Sequence, residues 1–298
     1  MCRIWLILIV FIFMNTQAGA QSSDLDYRVF DAKGNLSNIA RILDASEQRD
    51  VIFLGENHDD AVAHLLQAEL FKNLRQKFAG KRDVALSLEM FERDAQVVLD
   101  EYLKGLITEK KFLDDSRPWN NYKTDYRPLV EFARENNLSV IAANAPRRYV
   151  NMVSRNGRNS LNALSPDAKK WLAPLPFPES SEEYARKFRA LMGETTDNNH
   201  GVSKILDSQT LWDATMAYSI SEFLKRQKNA LIVHLNGSFH TENRLGTAEQ
   251  FLKLNPKARI LVVTMRYEND FTKFDKSRHE NLGDFVILTD AKVPRSFK

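Results

Sequence analysis

The chain has 298 residues, with 42 Lys+Arg against 39 Asp+Glu and a formal net charge of +3. A chain of this length buries a core without covalent staples, and 43% hydrophobic with 27% charged residues is a globular composition that excludes global disorder. The basic residues are spread along the chain rather than gathered in a patch, which argues against a dedicated nucleic-acid binder.

Residues 1–20 read as a separate object. Arg3 precedes an unbroken apolar run over residues 4–14, and Ala18-Gly19-Ala20 follows as a small-residue cleavage pattern. This predicts a secretory signal peptide, its apolar run being too short for a comfortable membrane span. Cys2, the only cysteine, lies before that run, where it is not a lipoprotein acceptor. The mature domain, residues 21–298, then has no disulfide, thiolate metal site or Cys nucleophile, and export to a periplasm or exterior is expected.

Residues 22–38 carry little pattern. Six short apolar runs follow, at 51–54, 84–88, 138–142, 230–235, 260–265 and 285–288. Most are apolar on both alternating faces, as expected of strands covered on both sides. Helical spacing fills the gaps at 61–78, which stops before Gly80, and at 95–103, 129–133 and 247–254, the last ended by Pro256. Strand alternating with helix predicts an α/β fold with a mostly parallel central sheet and flanking helices. The alternation breaks over about 146–228, where Pro174, Pro176 and Pro178 precede helical stretches at 182–192 and 202–226. This predicts a helical insertion subdomain that closes over one end of the sheet. No later segment approaches 18 continuous apolar residues, so no membrane span is expected in the mature chain.

Ligands of open α/β sheets sit outside the carboxyl ends of the strands. Those ends carry Gly55-Glu56-Asn57-His58, Glu89-Met90-Phe91-Glu92, Asn144-Ala145-Pro146-Arg147, Gly237-Ser238-Phe239-His240 and Arg266-Tyr267-Glu268. Two of the five have the same form, Gly-x-x-His. A parallel sheet would bring them into one crevice. His58 and His240 with Glu56 and Glu89 make a sound ligand set for a divalent metal, and a histidine is equally an axial ligand for haem iron. Arg147 has two uses open to it, a bidentate grip on a carboxylate or phosphate, or an ion pair with Glu89. Glu92 suits the opening of the following helix. Gln209, Trp212, Asp213 and Met216 share one helical face in the insertion. Trp212, Asp213 and Met216 are expected to face the strand ends, because an acidic residue on an apolar face needs a partner. The alternative is an ordinary helix on the flank of the sheet with Asp213 at its solvent edge.

There is no Walker A loop, no G-x-G-x-x-G, no H-E-x-x-H and no G-x-S-x-G, which argues against nucleotide binding and ordinary α/β-hydrolase chemistry. The strand-end motifs, together with Tyr126-Arg127-Pro128-Leu129-Val130-Glu131-Phe132-Ala133 and Trp212-Asp213-Ala214-Thr215-Met216-Ala217, resemble the ChaN-like haem-binding uptake proteins. These group with the Tiki and erythromycin-esterase proteins in one superfamily. The resemblance spans roughly residues 51–288. It implies a parallel sheet with a smaller helical subdomain, export, and a link to haem or iron acquisition, without fixing which residue holds the iron; in the crevice read from the strand ends, His58, His240, Arg147, Trp212, Asp213 and Met216 are the candidate haem contacts. The Tiki relatives imply the alternative, a divalent-metal-dependent hydrolase with metal at His58, His240 and Glu56 or Glu89, and with Glu56 and Glu89 as catalytic carboxylates. The partner expected on either reading is a small ligand, and a homodimer is compatible with the sequence.

Overall fold

A computed structural model describes residues 26–193 and 200–297; the expected signal peptide lies outside the described residues. A hairpin of β1 (Tyr27–Asp31) and β2 (Leu36–Ser37) leads into α1 (Ile39–Ala45), then β3 (Val51–Glu56), α2 (Ala61–Lys77) and β4 (Val84–Glu92). Next come α3 (Gln96–Leu103), α4 (Glu109–Ser116), a π-helical turn (Tyr122–Tyr126), α5 (Arg127–Glu135) and β5 (Val140–Asn144). Four helices follow: α6 (Arg147–Asn156), α7 (Pro166–Lys169), α8 (Glu182–Leu191) and α9 (His200–Arg226). The chain ends with β6 (Leu231–Gly237), α10 (Thr247–Leu254), β7 (Ile260–Glu268), α11 (Lys276–His279) and β8 (Phe285–Asp290).

The eight strands form one sheet in the order β2-β1-β8-β7-β3-β6-β4-β5. The six strands expected from the apolar runs are all parallel to one another. The hairpin strand β1 adds to β8 antiparallel and was not anticipated. It buries only Val29 and Phe30, too little to stand out from a polar lead-in.

Alternation along the strands divides the core in two. Ile52 and Leu54 join Leu66, Phe71, Leu99 and Leu129 on the face covered by α2, α3 and α5. Val51 and Phe53 join Met216, Ile220, Phe223 and Phe251 on the face covered by α9 and α10. The long helix α9 therefore has two jobs. Its carboxyl half is a flanking layer of the sheet, while Leu211 and Ala214 pack with Val150, Val153 and Phe177 of the helical module before it. Among the described residues no helix is long and apolar enough to cross a membrane.

Candidate functional site

The strand order decides the site. β3 and β6 are neighbours, with Gly55 opposite Asn236 and Glu56 opposite Gly237, so the two Gly-x-x-His turns leave the sheet side by side. Each glycine makes room for the other turn. A Cβ on Gly55 would stand 2.9 Å from Ser238 Cα, and one on Gly237 would stand 2.7 Å from His58 Nε2. Backbone at Ser238 cannot move aside cheaply, so Gly55→Ala should cost about 1–3 kcal/mol by overpacking. A thermal melt within about a degree of the parent would show that the turns are not interlocked.

His58 stands on a buried polar foundation. Only four residues join β3 to α2, and Asp60 closes the joint, accepting from the Val62 and Ala63 amides and from the Thr289 hydroxyl. His58 Nδ1 lies 2.9 Å from Oε1 of Glu56, which is itself fully buried. Tyr126 donates to the same oxygen at 2.5 Å, and Gln67 donates to Oε2 at 2.7 Å. His64, one turn into α2, bridges Glu56 and Asp125 at 3.5 and 3.3 Å. Burial disfavours the Glu56 charge, but the His64 charge and the histidine hydrogen bonds outweigh it and bring its pKa down to about 2. Burial likewise opposes the charged His64, yet Glu56 and Asp125 hold its pKa at about 9. His58 is also held above its ordinary value, burial being overcome by the Glu56 bond and the charges of Glu89 and Glu56. Its ring stands edge-on to Trp119 with centroids 4.7 Å apart. The side chain is 37% exposed, and its Nε2 has no hydrogen-bond partner among the described residues.

His240 is held differently. Its side chain is 7% exposed, with Nδ1 2.7 Å from Asp213 Oδ1 and Nε2 3.5 Å from Glu89 Oε1. Asp213 also accepts from Tyr184 at 2.5 Å and Thr247 at 2.8 Å, while Glu89 accepts from the Gly237 amide at 2.7 Å. Burial opposes its charge, but Glu89 and Asp213 keep the imidazolium, with a pKa of about 9. One motif thus presents a ring with an open, partly exposed Nε2, and the other a buried ring whose two nitrogens both face carboxylates.

Both histidines line an open cleft of about 300 Å³, walled by Phe188, Leu191, Gln209 and Phe239. Asp213 reaches this end of the sheet, as its need for a partner predicted, but behind His240 rather than on the cleft wall. Trp212 also backs His240, perpendicular to it at 6.4 Å between ring centroids. Met216 lies one turn further along α9 and is buried against Phe53 and Ala85 on the face of the sheet, so it is a core residue. Arg147 pairs with Glu92 and not with Glu89. It belongs to a rim cluster in which Arg117, Arg147 and Arg148 share the carboxylates of Glu92 and Asp94, leaving one positive charge in excess. Arg117 precedes Pro118-Trp119, which ties this cluster to the His58 side of the cleft.

His58, His240, Glu56 and Glu89 meet at one end of the sheet. Each histidine takes a carboxylate as its hydrogen-bond partner, and the carboxylate oxygens are occupied by Tyr126, Gln67 and the Gly237 amide. Among the described residues no group of three or more His, Cys, Asp or Glu is placed to hold a metal ion. Sequence reasoning gave no role to Tyr126, Gln67, Asp125 or Tyr184. Gln67 was legible in part, since it follows His64 by three residues and shares its helical face. Tyr126 and Asp125 are aimed by a π-turn, which no periodicity announces.

Open α/β sheets take their ligands at the carboxyl ends of the strands, and this chain places two histidines there, on its central strands β3 and β6. The model of one family, described as haem-binding uptake, Tiki superfamily, ChaN, matches residues 42–251, and the chain belongs to that family. Its fold is similar to that of ChaN of Campylobacter jejuni, a structure of cofacial heme binding, at 17% identity and a TM-score of 0.66, covering 91% of this chain and 100% of that one. The erythromycin esterase EreC, as a point mutant in its open conformation, is 11% identical with a TM-score of 0.49, over 89% of this chain and 83% of that one. A chloroplastic protein of Arabidopsis thaliana, RETICULATA-RELATED 5, is 24% identical over 259 residues, 81% of this chain. The chain spans about a third of that protein's length, 34%.

Proposed function

We propose that this chain binds haem in the cleft at the ends of β3 and β6, with His58 as the iron ligand, and that it is exported and serves haem or iron uptake. The observation that carries the reading is the His58 imidazole, anchored at Nδ1 by Glu56, open at Nε2 and partly exposed. A haem asks for a donor with a free lone pair, apolar contact for the macrocycle and cations for its propionates. Phe188, Leu191 and Phe239 supply the apolar wall, and the cations would come from the Arg117–Arg147–Arg148 cluster beyond that wall, whose side chains pair with Glu92 and Asp94. His240 is less suited to the iron, because its two ring nitrogens face Asp213 and Glu89 and its side chain is only 7% exposed. Haem is cargo on this reading, and Glu56, His64 and Tyr126 serve to hold the donor in place. The family description supports the ligand, and the leader pattern of residues 1–20 supports the location.

The test is a titration of the mature protein with haemin, followed at the Soret band. A saturable red shift at one site per chain is expected. Absence of saturation, with the protein shown to be folded by circular dichroism, would refute the reading.

A further inference from the structure

β5 ends the sheet beyond β4, and among the described residues no strand pairs with its outer edge. The Ser139 carbonyl accepts from the Leu86 amide on β4, so the alternate residues Val140 and Ala142 turn their peptide groups outward. Two of those groups are taken by one side chain. Gln96, at the start of α3, donates from Nε2 to the Val140 carbonyl at 2.9 Å and accepts at Oε1 from the Ala142 amide at 2.7 Å. That is the bonding pattern of a strand residue opposite Ile141, made here by a side-chain carboxamide. The edge forms the floor of a groove of about 650 Å³ between α3 and α9. Through Asn137, Leu138, Ser139 and Gln227 the groove adjoins a second hollow of about 530 Å³ at the amino end of the strand. It lies two strands from β6 and shares no lining residue with the cleft of His58 and His240.

We infer that this groove docks an extended acidic segment of another protein, which adds to β5 as a further strand and displaces the Gln96 carboxamide. Open sheet edges recruit strands by main-chain hydrogen bonds, and pockets for alternate side chains select the partner. The incoming strand takes over both Gln96 bonds and adds partners for the Val140 N–H and the Ala142 carbonyl. Charge selects the occupant. Arg93 stands on the α9 wall, donating to the Ser219 hydroxyl at 3.1 Å and lying over the Tyr218 ring. Arg226 lines the same wall, and in the adjoining hollow the Nε of Arg75 is buried without a hydrogen-bond partner. Among the described residues none of these three arginines has a carboxylate within ion-pair distance. The nearby acids are engaged elsewhere, Asp100 by Gln96 and Glu222 by Lys225. A second copy of this chain would set the same cations against each other, so the partner is a different, acidic chain. Leu103 lines the α3 wall opposite. Strand side chains alternate between faces, so the segment carries a carboxylate at every second residue with apolar residues between.

The probe is a dye-labelled octapeptide of alternating Glu and Val, titrated with the mature protein and followed by fluorescence anisotropy; the Lys–Val peptide is the control. Saturable binding of the acidic peptide at one per chain is expected, with slower amide exchange over residues 138–144, and no binding of the basic peptide. Gln96→Ala removes the group that must be displaced and should tighten binding about tenfold, whereas Arg93→Gln should weaken it about tenfold. A Gln96 that merely braces the edge would lower the melting temperature on substitution and leave peptide affinity unchanged, which overturns the docking site. A Gln96→Ala protein that dimerises without peptide gives the edge to a second copy and also overturns it. Equal binding of the basic peptide, or no saturation with any of the three proteins, does the same. Should Gln96→Ala not fold, the parent and Arg93→Gln decide, because unchanged exchange over residues 138–144 or unchanged affinity in Arg93→Gln is enough to overturn it.

Discussion

The His58→Ala protein is expected to fold and to lose its haemin complex, whereas the His240→Ala protein is expected to lose stability first. Removing His58 leaves Glu56 still held by Tyr126, Gln67 and His64, so the cost is that of one hydrogen bond to a charged group, about 1.5–3 kcal/mol. The donor itself is gone, and haemin affinity should fall by more than the 10–100-fold, roughly, that follows loss of an outer-sphere partner. Imidazole added to a His58→Gly protein should restore part of the Soret shift, a rescue that a merely structural histidine would not give. Removing His240 takes the counter-charge from two buried carboxylates, Asp213 and Glu89, which costs about 3–5 kcal/mol. The Soret position of whatever haemin complex remains should be unchanged. Denaturant titration and haemin titration of both variants check this, and the reverse pattern would transfer the iron to His240.

Stability should fall by several kcal/mol between pH 6.5 and 9. Burial alone would keep His240 and His64 neutral, but their carboxylate partners hold both near a pKa of about 9, against 6.5 in the unfolded chain. Between those values the folded protein binds more protons than the unfolded one, so each histidine stabilises fully below pH 6.5 and stops doing so as pH rises through 9. A shift of this size is worth about 3 kcal/mol per group. On the acid side the sign reverses for His234, which is buried on β6 with Ser87 at 2.9 Å as its partner and pressed by burial down to about 3. Its contribution is present above pH 6.5 and is lost as pH falls through 3, and that of Glu56 is lost as pH falls from 4.5 through about 2. The stability maximum therefore lies near pH 6.5. Urea midpoints at pH 6.5 and 9 test the alkaline limb. Equal midpoints would mean that the two histidines are neutral at pH 7, and in His240→Ala the drop should shrink to about half.

The sequence by itself determined whatever depends on local order. The six apolar runs are strands because residues apolar on both alternating faces, such as 51–54, must be covered from both sides. Gly55 and Gly237 are followed three residues later by His58 and His240, so both histidines were assigned to strand ends before any strand was placed. The tertiary structure alone decided that β6 lies between β3 and β4, which sets the two turns against each other; periodicity does not encode strand order. It decided, too, that Arg147 meets Glu92, that Met216 turns onto the sheet while Asp213, three residues earlier, reaches His240, and that β1 closes on β8. Above all it separated two histidines that are identical in motif. Glu56 and Tyr126 leave one with an open nitrogen at the cleft, while Asp213 and Glu89 enclose the other, and Tyr126, Asp213 and Glu89 come from segments far apart in the chain that only the packed sheet brings together.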